Sequence, residues 1–151
     1  MIEIQRSAEA TWQGDLKAGQ GTTSTETRVL KDVPYSFKTR FENDKQGTNP
    51  EELIAAAHAS CFSMAFSKML ADSGHAPREV RTKATLTLAK TDAGFKITKI
   101  HLDTVGSVDG LDQAAFQQTA EKAKEGCPVS QLLKPGLQEM TLKATLQNNP
   151  A

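Results

Sequence analysis

The stretch Thr48-Asn49-Pro50-Glu51-Glu52-Leu53-Ile54-Ala55-Ala56-Ala57-His58-Ala59-Ser60-Cys61-Phe62-Ser63-Met64-Ala65-Phe66-Ser67-Lys68-Met69-Leu70-Ala71-Asp72-Ser73-Gly74 decides the fold. Its opening residues are helix-start signals. Thr48 or Asn49 can cap, Pro50 suits the first helical position, and Glu51 and Glu52 meet the positive end of the helix dipole. Gly74 is a left-handed stop. The expected helix has about 24 residues and is roughly 35 Å long. Leu53, Ile54, Cys61, Phe62, Met64, Phe66, Met69 and Leu70 point in several directions, and a helix that is apolar nearly all round is a buried one. His58, Ser60, Ser63, Ser67 and Lys68, with alanine over much of the rest, favour a buried central helix over a membrane span.

On the N-terminal side, Ala8–Gln13 and Arg28–Val33 read as strands, with turns at Gly14-Asp15 and Gly19-Gln20-Gly21. Pro34 breaks the second stretch. Phe37–Phe41 reads as a further strand with Phe37, Thr39 and Phe41 on one face. On the C-terminal side Val80–Leu88 alternates, Thr91-Asp92-Ala93-Gly94 reads as a hairpin turn, and Phe95–Val105 returns as a strand. Its phase slips between Ile97 and Ile100, which predicts a bulge. Leu111–Glu125 is a helix with Ala115, Phe116, Thr119, Ala120 and Ala123 inward. Gly126 ends it, and Pro128 opens a short helix through Leu133. Leu137–Leu146 closes as a strand. The order β-β-β-α-β-β-α-β implies an α+β fold, with antiparallel sheets around one long buried helix, in a single domain over residues 1–151.

The chain has 151 residues, 18 basic and 18 acidic, for a formal net charge of zero. That sets aside a strongly basic nucleic-acid binder. Only 38% of residues are hydrophobic, against about 45–50% apolar in an average domain, glycine included. A lean chain wrapped round an apolar helix predicts a homodimer, with a second copy covering what one copy does not. The first ten residues include Glu3, Gln5, Arg6 and Glu9, which is no secretory signal, so the expected address is cytoplasmic. No phosphate-binding glycine loop and no His/Cys ligand spacing is present, so neither a nucleotide cofactor nor a metal site is expected.

There are two cysteines, Cys61 and Cys127, too few for a disulfide scaffold. Cys61 sits in mid-helix. A buried thiol there has a raised pKa and is inert unless a cation is brought to it. Cys127, in Gly126-Cys127-Pro128, lies past a helix end, where a loop cysteine can move. One fixed and one mobile thiol suit a peroxidatic and resolving pair. Glu51, almost three turns before Cys61, can hold an arginine whose other edge faces a sulfur. Arg40 is the best-placed donor. His58, one turn before Cys61, offers a rival reading as the general base of a Cys-His hydrolase or acyl transferase. A third reading is a non-enzymatic dimer that binds an apolar ligand. Packed core residues are the plain alternative for Cys61 and His58, as is a solvated edge residue for Arg40.

At these residues the sequence resembles the OsmC/Ohr family, the osmotically inducible and organic hydroperoxide resistance proteins. Asn49 to Met64, from Asn49-Pro50-Glu51-Glu52 through Ala59-Ser60-Cys61-Phe62, resembles the family's first cysteine motif. Gly126-Cys127-Pro128-Val129-Ser130 resembles its second. Trp12-Gln13-Gly14-Asp15, Tyr35-Ser36-Phe37-Lys38-Thr39-Arg40-Phe41-Glu42 and His58 resemble the OsmC branch. The resemblance covers essentially the whole chain. It implies an intertwined homodimer, with active sites at the interface, that reduces organic hydroperoxides without metal, haem or flavin. Cys61 would be the peroxidatic nucleophile, Cys127 the resolving thiol, Arg40 the cation that stabilises the thiolate, and Glu51 the carboxylate positioning it. Arg28 is the alternative arginine. A dithiol, a lipoyl one in particular, would be the reductant. Phe62, Met64 and Phe66 are the expected apolar lining, favouring an alkyl hydroperoxide over hydrogen peroxide.

Overall fold

The computed structural model describes residues 1–147, so the last four positions of the expected 1–151 domain lie outside the described residues. The chain divides into two compact units, Met1–Leu53 and residues 54 onward.

The first unit holds strands β1 (Ala8–Gln13), β2 (Gln20–Thr25) and β3 (Val33–Tyr35), helix α1 (Phe37–Phe41) and the start of helix α2 (Pro50–Asp72). The strands form an antiparallel sheet in the order β1-β2-β3. The expected turn follows β1. Gly14 takes φ +92°, and Asp15 Oδ1 accepts from the N–H groups of Lys17 (2.9 Å) and Ala18 (2.7 Å). Gln20 and Gly21 belong to β2 rather than to that turn. Gly21 is there for clearance: a Cβ on it would come within 2.6 Å of the Tyr35 ring.

Two expected strands do not form. Residues 28–32 of the expected strand Arg28–Val33 form a turn instead, with Arg28 at φ +64° and Asp32 at φ +49°. The Ser24 hydroxyl holds it by accepting from the Asp32 N–H at 2.8 Å. The strand begins only at Val33. It includes Pro34 because the Pro34 carbonyl faces away from β2 and accepts from the Thr48 N–H at 2.9 Å, so a missing N–H on that side breaks no ladder bond. Phe37–Phe41 is helix, not strand. Ser36 and Thr39 form a reciprocal capping box, and the Phe37 and Phe41 rings meet 4.9 Å apart. Spacing of i and i+4 serves a helix face as well as alternation does.

Helix α2 starts at the sequence signals: Asn49 Oδ1 accepts from the Glu52 N–H at 2.8 Å, with Pro50 at the first helical position. The second unit contains the rest of α2, then β4 (Glu79–Thr91), β5 (Gly94–Ser107), α3 (Gln113–Gly126), α4 (Pro128–Leu133), a 3-10 turn (Lys134–Gly136) and β6 (Glu139–Leu146). The β4–β5 hairpin closes at Thr91 opposite Gly94. Its register passes from Thr87–Lys99 to Leu88–Ile97, leaving Thr98 as the extra residue of a bulge where the phase slip predicts one. β6 pairs with β5 in parallel, which corrects the expectation of purely antiparallel sheets. The connection through α3 and α4 is long enough to return the chain to the end where β5 began.

The core of this unit joins Phe62, Phe66 and Leu70 of α2 to Ile100 and Leu102 of β5, Phe116, Ala120 and Ala123 of α3, and Ala144 of β6. The Phe66 ring lies 5.6 Å from Phe62 and 4.8 Å from Phe116 in tilted contacts, each worth about 0.5–1.5 kcal/mol beyond its buried area. By length and composition α2 could cross a membrane, but its His58–Phe62–Phe66–Leu70 stripe is fully buried in this core. Its other face is open. Ala57, Ser60 and Lys68 are exposed, and Met64 is 75% exposed. Among the described residues, the second unit covers its part of the helix on one side only.

Candidate active site

In the second unit the sulfurs of Cys61 and Cys127 lie 2.9 Å apart, the Cys127 thiol donating to Cys61. Both cysteines are free. Cys61 comes from the middle of α2. Cys127 is the hinge residue between α3 and α4: its N–H donates to the Ala123 carbonyl at 2.9 Å, and its own carbonyl accepts from the Gln131 N–H at 3.0 Å. It is fully buried. The expected division into a buried fixed thiol and a mobile loop thiol is thus corrected. Cys127 is pinned by two helices and sealed in the core. Cys61 is part-exposed and lines a cavity of about 700 Å³ with Ala57, Met64, Ala65, Met69 and Pro128. Phe62 and Phe66 are core residues and do not line it; Met64 does.

Burial pushes the Cys61 thiol up, and the neighbouring Cys127 thiol adds to the rise. A hydrogen bond from the Val129 backbone pulls the other way. That amide was not anticipated from the sequence. Its signal is Pro128 at the first position of α4, which leaves the next N–H without an intrahelical partner.

His58 does not serve the sulfur. Its Nε2 pairs with the Ser130 hydroxyl at 2.7 Å, and among the described residues its buried Nδ1 has no hydrogen-bond partner. Burial lowers its pKa, which favours the neutral ring. The pairing braces α2 against α4. Ser130, also not anticipated, is itself buried. His75 and His101 make other bonds, to the Asp109 carbonyl and the Thr141 hydroxyl. Among the described residues no three metal-ligating side chains cluster.

In the first unit Arg40 and Glu51 form the forked pair read from the sequence. Arg40 Nε donates to both Glu51 oxygens, at 3.1 and 3.2 Å, and Nη2 donates to Oε1 at 2.7 Å. Glu51 is buried, whereas the Arg40 side chain is 37% exposed and lies over the Phe41 ring, 5.2 Å from its centroid. Asn49 Nδ2 donates to the Thr39 carbonyl at 3.1 Å, tying α1 to the start of α2 and fixing the distance that the pair spans. Trp12, Leu16, Tyr35, Phe37 and Phe41 form an aromatic recess of about 290 Å³ beside Arg40. Arg28, the alternative, sits on the exposed turn and reaches Glu9, at 3.8 Å.

A family model described as OsmC-like protein matches residues 42–141. The chain is 52% identical over 147 residues to the peroxiredoxin OsmC of Escherichia coli, covering 97% of this chain and all of that one. It is 35% identical over 85 residues to an organic hydroperoxide resistance protein of Xanthomonas axonopodis, covering 56% and 58% of the two chains. Among solved structures, an organic hydroperoxide resistance protein OsmC of Legionella pneumophila superposes with a TM-score of 0.75 at 23% identity, over 95% of this chain and 99% of that one. The OhrB structure of Bacillus subtilis does so with a TM-score of 0.69 at 25% identity, over 93% and 98%.

Proposed function

The chain belongs to the OsmC-like protein family and is a peroxidase, and from that premise we propose that it reduces organic hydroperoxides through Cys61 and Cys127. In this reading the Cys61 thiolate attacks one peroxide oxygen, the O–O bond breaks, and the alcohol leaves with a proton. Cys61 is then a sulfenic acid. The Cys127 thiol condenses with it, water departs, and a Cys61–Cys127 disulfide remains. The supporting observation is the 2.9 Å contact between two thiols that lie 66 positions apart in the chain.

Cys61 has a raised pKa, so the thiolate needs a cation. Arg40, held by Glu51, is proposed for that role and for orienting the peroxide. The apolar cavity beside Cys61 favours substrates with an alkyl tail, each buried CH₂ contributing about 0.8 kcal/mol. The open face of α2, with Met64 at its centre, supports a homodimer in which a second copy covers it. A dithiol reductant, a cytoplasmic location and one family domain across residues 1–151 complete the proposal. Mass spectrometry after one equivalent of cumene hydroperoxide tests it. The expected product has lost two hydrogens, and they map to a Cys61–Cys127 bridge. Cys61→Ser should abolish turnover, and Cys127→Ser should stop after one turnover with an oxidised Cys61. Undiminished turnover in Cys61→Ser would overturn the assignment.

A further inference from the structure

The two sulfurs differ in who can reach them. Cys61 opens onto the cavity of about 700 Å³ walled by Ala57, Met64, Ala65 and Met69. Cys127 has no exposed surface and packs in the same core cluster as Phe62, Phe116 and Ala123. In the chain itself an incoming thiol therefore meets Cys61 and not Cys127. Both backbones are fixed, Cys61 by mid-helix bonding and Cys127 by its bonds to Ala123 and Gln131. Joining sulfurs already 2.9 Å apart needs no movement that would expose the buried one. Thiol–disulfide exchange requires the incoming thiolate to reach the sulfur it attacks, opposite the sulfur that leaves.

We propose that the thiol which re-reduces the oxidised protein attacks the sulfur of Cys61, so that the mixed disulfide forms there and Cys127 is the leaving group. The inference rests on the Cys61–Cys127 disulfide of the proposed cycle. In the first step a thiolate RS⁻ forms an S–S bond to Cys61. The Cys61–Cys127 bond breaks, and its electron pair leaves on Cys127, which takes a proton. The freed Cys127 stays beside the mixed disulfide and can expel a monothiol by re-forming the original bridge. A reductant with a second thiol completes the cycle instead. That thiol attacks its own molecule's sulfur, the reductant becomes a cyclic disulfide, and Cys61 is released as a thiolate. The dithiol loses the two electrons that the protein disulfide gains.

The test uses the wild-type chain oxidised in two ways, with diamide and with cumene hydroperoxide. Each sample meets 2-mercaptoethanol for a series of short intervals, is quenched in acid, unfolded, alkylated with N-ethylmaleimide and mapped by peptide mass spectrometry. The expected earliest product carries the mercaptoethanol adduct on Cys61 and the maleimide on Cys127, in at least roughly tenfold excess over the reverse pattern. An adduct on Cys127, equal labelling of both, or no bridge after diamide would each overturn the inference. A bridge that forms with diamide and not with the peroxide, with the adduct on Cys61, would leave the inference standing and remove the peroxidase reading.

Discussion

The first unit and the second are held together by different forces. The second has a dense apolar core in which Phe62, Phe66, Leu70, Leu102 and Phe116 are fully buried. The first, among its described residues, buries no large apolar side chain fully. Its buried side chains are Ser24, Thr39, Thr48 and Glu51. It relies on strand ladders, the Ser36–Thr39 capping box, the Thr48–Glu52 hydrogen bond at 2.9 Å and the forked Arg40–Glu51 pair. Hydrogen bonds of this kind contribute only about 0.5–1.5 kcal/mol each, so such a unit is specified more than it is stabilised. The low apolar content of the whole chain is therefore unevenly spread. Cys61 and Cys127 belong to the well-packed unit, and the Arg40–Glu51 pair to the polar one.

The contrast can be broken most forcefully by Phe66→Ala. It should cost about 3–5 kcal/mol, read as a fall in the denaturant midpoint, because Phe66 touches two other rings and has no exposed surface. A loss below 1 kcal/mol would mean the second unit is not the stabilising one. Glu51→Gln should behave in the opposite way. It keeps the shape and removes the charge that holds Arg40, so kcat/KM for cumene hydroperoxide should drop, by up to about 100-fold through misplacement of the guanidinium, with little change in the midpoint. A large stability loss with unchanged kcat/KM would make the pair structural. The smallest effect expected is that of Ser36→Ala. Losing the cap of α1 should cost about 1 kcal/mol, seen as faster amide exchange in Phe37–Phe41 before any global change.

Legibility in the sequence follows the same division. In the second unit almost every element stands where periodicity puts it, because an apolar core imposes its period on the residues that fill it. The bulge at Thr98 was readable for that reason, and the short helix from Pro128 at its first position. In the first unit, where polar contacts decide, periodicity misled. Phe37, Thr39 and Phe41 fit a strand face, but Ser36 and Thr39 cap a helix. Arg28 and Asp32 adopt positive φ, for which no glycine gave warning. The Arg40–Glu51 pair was legible, since a carboxylate in the first turn of α2 and an arginine just upstream are complementary charges. What stayed hidden in the site was three-dimensional: the Val129 amide at Cys61, the Ser130 partner of His58, and the burial that closes over Cys127 and leaves Cys61 part-exposed.

The parallel strand β6 has a consequence at its outer edge. Gln117 Oε1 accepts from the Ala144 N–H at 3.3 Å. Gln113 Nε2 donates to the Ala144 carbonyl at 2.9 Å, and Gln113 Oε1 accepts from the Leu146 N–H at 2.8 Å. Two side-chain amides of α3 thus stand in for a fourth strand at the C-terminal end of β6, engaging three backbone groups on which a foreign strand would template. The molecule polices its own sheet there against runaway fibre growth, with glutamine doing from a helix what a gatekeeper lysine or proline does from within a strand.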